Sequence, residues 1–389
     1  MKQVYMDYAG ASPVDTRVRE TMEPFYTTIY GNPSSMHSFG REAGEALESA
    51  REKVAGLISA PKSKNIIFTS GATEATNLAI KGIADRSGEK KEIIISAIEH
   101  ISVTNVCRYF QKQGFTIKTI GVDEYGFIDL EELKNAISKD AALVSVMYAN
   151  NEIGTVQPVR EVGEICGDAG VPFHCDGTAA GGKIPVNVSA DNIDLLTISS
   201  NDMYGPKGAG ALYMRDGLRT EPLIHGGGQE RGIRSGSENL PGIVGMGAAA
   251  DLAKKEMNLR AKHLISLRNP LIKGILDSIP ESYLNGHPEQ RLPNNTHIRF
   301  SYIEGESIIL SLDIIGVSAA SGSACTSKTL DPSKCLTSIG LSHEEAHGSL
   351  QMTLGPSNTM EDVKYVVDNL PAIIKRLRAM SPLAPREEN

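Results

Sequence analysis

Short apolar runs recur along the first two thirds of the chain: "NIIFTS", "EIIISA", "LVSVMYA", "VPFHCD", "DLLTISS" and "GALYM". Between them lie longer segments whose apolar positions return every three or four residues. The runs read as buried strands and the spacers as amphipathic helices. Strand–helix alternation of this kind, from residue 15 to about 255, predicts a mainly parallel α/β sheet with helices on its faces. In "SMHSFGREAGEALESAREKVAGLISA" the Ala, Leu and Val positions share one helical stripe, so Arg41, Glu42, Glu45 and Glu48 belong to a solvated face.

A further helical stretch, "VGMGAAADLAKKEMNLRAKHLISLRNPLIKGILDSI", is followed by "NGHPEQRLPNNTHIRFSYIEG", rich in Asn, Pro and polar residues, and then by a segment read as β-rich that reaches Cys325. The change in composition predicts two domains: a large α/β domain over 15–256, and a smaller α+β domain formed by 1–14 with 257–389. The terminal "LAPREEN" reads as a solvated tail.

Composition narrows the function. The chain has 389 residues, a formal net charge of -8, and 40% hydrophobic against 22% charged residues. An acidic balance without a basic stripe argues against nucleic acid and against an anionic membrane surface. The opening "MKQVYMDYAGASPVD" lacks the apolar core of a secretory signal, and no run approaches the ~20 residues of a membrane span, so a cytoplasmic location is expected. Five cysteines, Cys107, Cys166, Cys175, Cys325 and Cys335, lie at irregular spacings without a CxxC pair, which predicts free thiols.

Candidate chemistry starts at "FTSGATEATNLAI", a strand, a small-residue turn and a helix. The amides of Gly71, Ala72 and Thr73 would open that helix and form an anion cradle. "VPFHCDG" ends a strand in Asp176, "SAIEH" ends another in His100, and Asn151 of "YANNEIGTVQP" follows a third. Ligands of open α/β sheets sit beyond the carboxyl ends of strands, which would bring these groups to one crevice. A carboxylate, an imidazole, an amide and an anion cradle match the needs of pyridoxal phosphate, in which the acid pairs with the ring nitrogen.

These blocks, with "GNPSSMHSFG", "SGATEATN", "YGPKGAGALYMR", "GGGQERGIRSGSEN", "LPNNTHIRF" and "SGSACTS", resemble in order and spacing the cysteine desulfurases of the NifS/IscS type, which are fold-type I pyridoxal-phosphate enzymes of the class-V aminotransferase group. The resemblance implies a seven-stranded, mainly parallel sheet in the large domain and a homodimer. It also implies that Ala72, Thr73 and Ser199 hold the cofactor phosphate, His100 stacks on the ring, Asp176 meets its nitrogen and Asn151 faces its hydroxyl. Ser237 would reach the partner subunit's phosphate. Cys325, near Lys328 and Lys334, would carry a persulfide to an IscU-like scaffold protein.

The pattern breaks where the chemistry should be strongest. The family's Ser-x-His-Lys block reads Ser199, Ser200, Asn201, Asp202 here, so an acid replaces the Schiff-base lysine, and Lys207 matches a different family lysine. Ala179 stands for a glutamine that bonds the ring hydroxyl, Gln351 for the arginine that clamps substrate carboxylate, and Pro356 for another arginine. Loss of acid–base help costs about 10²–10⁴-fold, and loss of a charged clamp roughly 1.5–3 kcal/mol. The leading expectation is an iron–sulfur assembly protein with very weak or absent desulfurase turnover and pyridoxal phosphate held non-covalently if at all. It would offer Cys325 to a scaffold as a ligand of a shared 2Fe–2S cluster or as a sulfur acceptor. The alternatives are an active desulfurase with non-covalent cofactor, releasing alanine and forming a persulfide, and a purely structural subunit.

Overall fold

The structure is a computed structural model that describes residues 2–321 and 332–384. Its first part runs β1 (Val4–Tyr5), α1 (Thr16–Met22), α2 (Pro24–Thr27), α3 (Ser38–Leu57), β2 (Ile66–Thr69), α4 (Ala72–Ala84), β3 (Glu92–Ser96), α5 (Ile101–Lys112), β4 (Thr116–Ile120), α6 (Leu130–Ala136) and β5 (Ala141–Ser145). Next come α7 (Val159–Ala169), β6 (Phe173–Asp176), β7 (Leu195–Ser199), β8 (Gly210–Met214) and α8 (Leu240–Ser278). The chain closes with β9 (Ser282–Leu284), β10 (Asn295–Phe300), α9 (Gly305–Ile314), β11 (Val317–Ser318), α10 (Lys334–Ser338), α11 (His343–His347), β12 (Ser349–Thr353) and α12 (Met360–Met380).

Seven strands form the main sheet in the order β2-β8-β7-β6-β5-β3-β4. Only β8 runs antiparallel to its neighbours, β2 and β7; the other pairings are parallel. The sheet is buried on both faces because alternate residues feed two separate cores. Phe68, Ile94, Val144 and Leu196 pack with Val54 and Ala250, whereas Ile67, Ile93, Leu143 and Leu195 pack with Leu78 and Val103. Both sets of alternating positions are therefore apolar, which is why these strands appear in the sequence as continuous apolar runs. Strand β4, with exposed Thr116 and Thr119 at the sheet edge, lacks that signal and is missing from the sequence reading.

Helix α8 is 39 residues long, and residue 257 lies inside it. Its first half, through Ile243, Met246 and Ala250, belongs to the core under the main sheet; its second half, through Leu264, Leu271 and Ile275, belongs to another core with Ile298, Leu350 and Val366. That second core lies on a three-stranded sheet, β12-β10-β9, and on the β1–β11 pair. Strand β1 thus ties the start of the chain to its last third. The segment read as β-rich contains helix α9. "ESIILSLDII" buries Ile308, Ser311 and Leu312 at helical spacing, and a short apolar run cannot be told from a strand by periodicity alone. Among the described residues no helix is long and apolar enough to cross a membrane.

Candidate cofactor and thiol site

The expected anion cradle lies at the end of β2. Gly71 caps α4 without a side-chain hydrogen bond, so the first-turn amides are left to a ligand or to solvent. Strand β8 passes so close that a Cβ on Gly210 would stand 2.6 Å from Gly71 Cα. Thr73 and His100 line one cavity of about 300 Å³ together with Asn77, Lys81 and Ser102. His100 is the N-cap of α5; its Nδ1 lies 2.8 Å from Ser102 Oγ and accepts from the Ser102 amide.

Asp176 ends β6 and is 6% exposed; its Oδ1 accepts from the Thr178 amide at 3.0 Å. Two residues back on the same strand face, His174 is fully buried, with Nδ1 2.8 Å from Ser145 Oγ and Nε2 3.0 Å from Thr197 Oγ1. Burial pulls its imidazole down to about 4, against the opposing pull of Asp176. Glu99 accepts from the Met147 amide, and burial, with the Asp176 charge added, holds its carboxyl well above the ordinary range. Neither His174 nor Glu99 stands out in the sequence reading. The available signal was the i, i+2 spacing of His and Asp in "HCD", which puts both on one face of a strand.

Asp202 lies in the turn 201–203 that follows β7 and Ser199. Its Oδ1 is 3.5 Å from the Lys183 ammonium, which also donates to the Ala179 carbonyl at 3.2 Å. The two side chains are only 9% and 13% exposed, Lys183 first, so this is an inward-facing ion pair. Lys183 is the amine that sequence reasoning missed: it lies nineteen residues before Asp202 and only the fold joins them. Lys207, by contrast, donates to the Ser12 carbonyl at 3.0 Å.

Gln351 of β12 sits opposite His297 of β10, and its Nε2 donates to the Asn151 carbonyl at 2.6 Å and the Glu152 carbonyl at 3.1 Å. Asn151 is therefore joined to Gln351 through its backbone carbonyl. Ser237 is exposed on the segment 226–239. That segment is fixed to the cradle helix by Arg234, whose Nε is 2.8 Å from Glu74 Oε1, and to the sheet by Glu230, which bonds Arg51 and the Phe68 amide. Cys325 and Lys328 lie outside the described residues. Cys107, Cys166, Cys175 and Cys335 are buried free thiols; burial raises all four, so they are core residues rather than nucleophiles. Among the described residues no cluster of three or more His, Cys, Asp or Glu is placed to hold a metal.

Residues 4–366 match the family model described as aminotransferase class-V. The chain belongs to the class-V aminotransferase family. Within it, the chain is 55% identical over 383 residues to a protein of Archaeoglobus fulgidus named cysteine desulfurase IscS 1, covering 98% of this chain and all of that one. It is 48% identical over 387 residues to the cysteine desulfurase IscS of Methanosarcina thermophila, covering 99% and 95%. Among solved structures, a NifS-like protein superposes with a TM-score of 0.90 at 36% identity, covering 97% of this chain and all of that one. The fold-type I architecture of the class-V family, with its mainly parallel central sheet, is the one found here.

Pyridoxal phosphate is the cofactor expected of this family. The described residues fit its ends. The uncapped α4 N-terminus suits the phosphate, and Asp176, beside the buried and unpartnered Thr178 hydroxyl, suits a protonated ring nitrogen. They do not offer an imine at position 202, where a carboxylate is paired with Lys183.

Proposed function

We propose that this class-V family member is an iron–sulfur cluster assembly protein whose cofactor site no longer supports ordinary cysteine desulfuration. The observation that carries the reading is the Asp202–Lys183 pair: the position where the resemblance requires a free amine is an acid whose charge is already matched. Gln351 supports it, because its amide is spent on backbone carbonyls and supplies no cation for a substrate carboxylate. In this reading the protein is a homodimer that docks an IscU-like scaffold and offers Cys325 as a ligand of a shared 2Fe–2S cluster or as a sulfur acceptor. One thiolate cannot hold such a cluster alone, so the partner supplies the other ligands.

A second reading is an active desulfurase with non-covalent pyridoxal phosphate, which supplies an electron sink when bound. The intact anion cradle and Asp176 favour it, as do the names of the relatives. On this reading Ala72, Thr73 and Ser199 would hold the phosphate, Asn151 would face the ring hydroxyl and Ser237 would serve the other subunit's site.

One experiment separates the two. Purified protein is incubated with pyridoxal phosphate and cysteine while sulfide, alanine and visible absorbance are followed. Silence, together with scaffold-dependent cluster assembly that Cys325→Ser abolishes, is the expected outcome. Turnover in the ordinary enzymatic range of about 1–10³ s⁻¹ establishes the second reading instead. Cluster assembly unaffected by Cys325→Ser leaves only a structural subunit.

A further inference from the structure

Beside Gln351 lies a buried polar chain that the proposed function does not use. Glu152 follows Asn151; its Oε2 accepts from Ser333 Oγ at 2.8 Å, while its Oε1 is shielded from solvent and has no hydrogen-bond partner. His297, fully buried on β10, also has an unpartnered atom, Nε2, and the two orphans stand 3.9 Å apart. That distance is too long for a hydrogen bond.

The neighbours assign the hydrogens. Arg299 Nη1 is 2.7 Å from Asn285 Oδ1, so that atom is the amide oxygen and accepts. The Asn285 NH₂ then lies 2.9 Å from His297 Nδ1 and donates to it. A neutral His297 must therefore carry its hydrogen on Nε2, aimed at Glu152 Oε1. Burial, with Arg291 and Arg299 adding to it, pulls His297 down to about 3, so the ring is neutral. Burial pushes the Glu152 carboxyl up to about 8, with only the Ser333 hydrogen bond opposing. Because Oε2 accepts from Ser333 Oγ, the acid hydrogen belongs on Oε1, where it faces Nε2–H and sets two hydrogens against each other, which matches the open 3.9 Å gap.

We infer that Glu152 is a proton-gated positioning residue: when it loses its proton, Nε2–H of His297 donates to Oε1, closing the gap and shifting Gln351 and Ser333 with it. The coupling runs through hydrogen bonds and strand pairing. Gln351 pairs with His297 across β10–β12 and bonds the Glu152 carbonyl, and Ser333 caps α10. Among the described residues, the remaining charged and titratable neighbours are Arg291 and Arg299 near His297, Glu345 of α11 4.0 Å from Arg299, Lys334 at the exposed start of α10, and the buried Cys335 thiol. None of these described groups puts a cation on Glu152 Oε1, and the described polar atom that faces it is His297 Nε2 at 3.9 Å.

The test is imidazole NMR on the full chain labelled at its nine histidines, with His297 assigned by the signal lost in His297→Asn. The expected spectrum shows Nδ1 bare and Nε2 protonated, with the Nε2 proton moving downfield around the Glu152 midpoint of about 8. The Gln351 side-chain amide moves with the same midpoint, and both shifts vanish in Glu152→Gln. An Nδ1–H tautomer, or a His297 signal that is flat from about pH 6 to 9.5 in the wild-type chain, overturns the inference whether or not the variant folds. A Gln351 amide that stays put while His297 moves overturns the coupling. A merely structural Glu152 would produce none of these shifts.

Discussion

The Lys183 ammonium stands 3.5 Å from the Asp202 carboxylate, with both side chains mostly buried. A pair of this kind is held by mutual charge, and removing one member leaves the other uncompensated. It accounts for how an acid can occupy a position that faces Asp176's end of the sheet without unfolding it.

Asp202→Lys should therefore create a site that takes pyridoxal phosphate covalently. Two ammonium groups at roughly 4 Å repel by up to about 4 kcal/mol at an effective dielectric of 20, which favours a neutral, nucleophilic amine. The expected result is an absorbance band displaced from that of the free cofactor in the variant, and the undisplaced free-cofactor band in the wild type. Adding Gln351→Arg should raise cysteine kcat/KM a further 10–100-fold or so, the value of a charged clamp. Equal bands in wild type and variant would sink the prediction.

Removing one partner should destabilise more than removing both. Lys183→Met or Asp202→Ala alone should lower unfolding free energy by about 3–5 kcal/mol, and the double variant by much less than the sum. Urea denaturation of the four proteins gives the coupling directly; additive losses would show that the pair does not interact.

Stability should also depend on pH on both sides of neutrality. His297 and His174, pulled down to about 3 and about 4, bind a proton near 6.5 only when the chain unfolds, so the unfolded state holds more protons and stability is lost as pH falls through 6.5. Glu152, pushed up to about 8 from 4.5, keeps a proton that the unfolded chain has released. The folded state then holds more protons between those values, and stability falls as pH rises across them, with Glu99 acting in the same direction. Glu152→Gln should flatten the decline between pH 6.5 and 8 by about 1.4 kcal/mol per pH unit. Denaturant midpoints at several pH values check this, and parallel curves for the two proteins would refute it.

Gly210→Ala should damage the anion cradle without touching a charged group. The new methyl would lie 2.6 Å from Gly71 Cα, backbone that cannot swing aside, so the α4 N-terminus must move. The expected signature is a loss of affinity for pyridoxal phosphate, read by fluorescence titration, with secondary structure retained by circular dichroism. Unchanged affinity would place the phosphate elsewhere.

The Arg51–Glu230 pair anchors the segment that carries Ser237. Glu230 bonds both Arg51 and the Phe68 amide, and the two charged side chains are 9% and 3% exposed, Arg51 first. Glu230→Ala should cost about 3–5 kcal/mol and, on the homodimer reading, weaken association in sedimentation. A variant as stable as wild type would mean that the segment is held by other contacts.

The fold class and six of the seven main-sheet strands are legible in the chain's apolar runs. Strands such as Ile93–Ile95 are apolar on both faces because both faces are buried, and the small-residue turn at Gly71 marks the start of α4. That an acid stands at 202, in the turn after β7, is likewise a local fact of the chain. What that acid touches is a matter of three-dimensional folding. Lys183 lies on a turn that the parallel β6–β7 crossover folds back onto residue 202; His297 and Gln351 meet because β10 and β12 pair across some fifty residues of chain, and Glu152 joins them through its carbonyl, which accepts from Gln351 and Asn295. Charge pairing and proton sharing depend on distances of a few ångströms, and no spacing along a chain specifies those. The same limit explains α9: its apolar positions show burial, but the helix was chosen by the core it packs against.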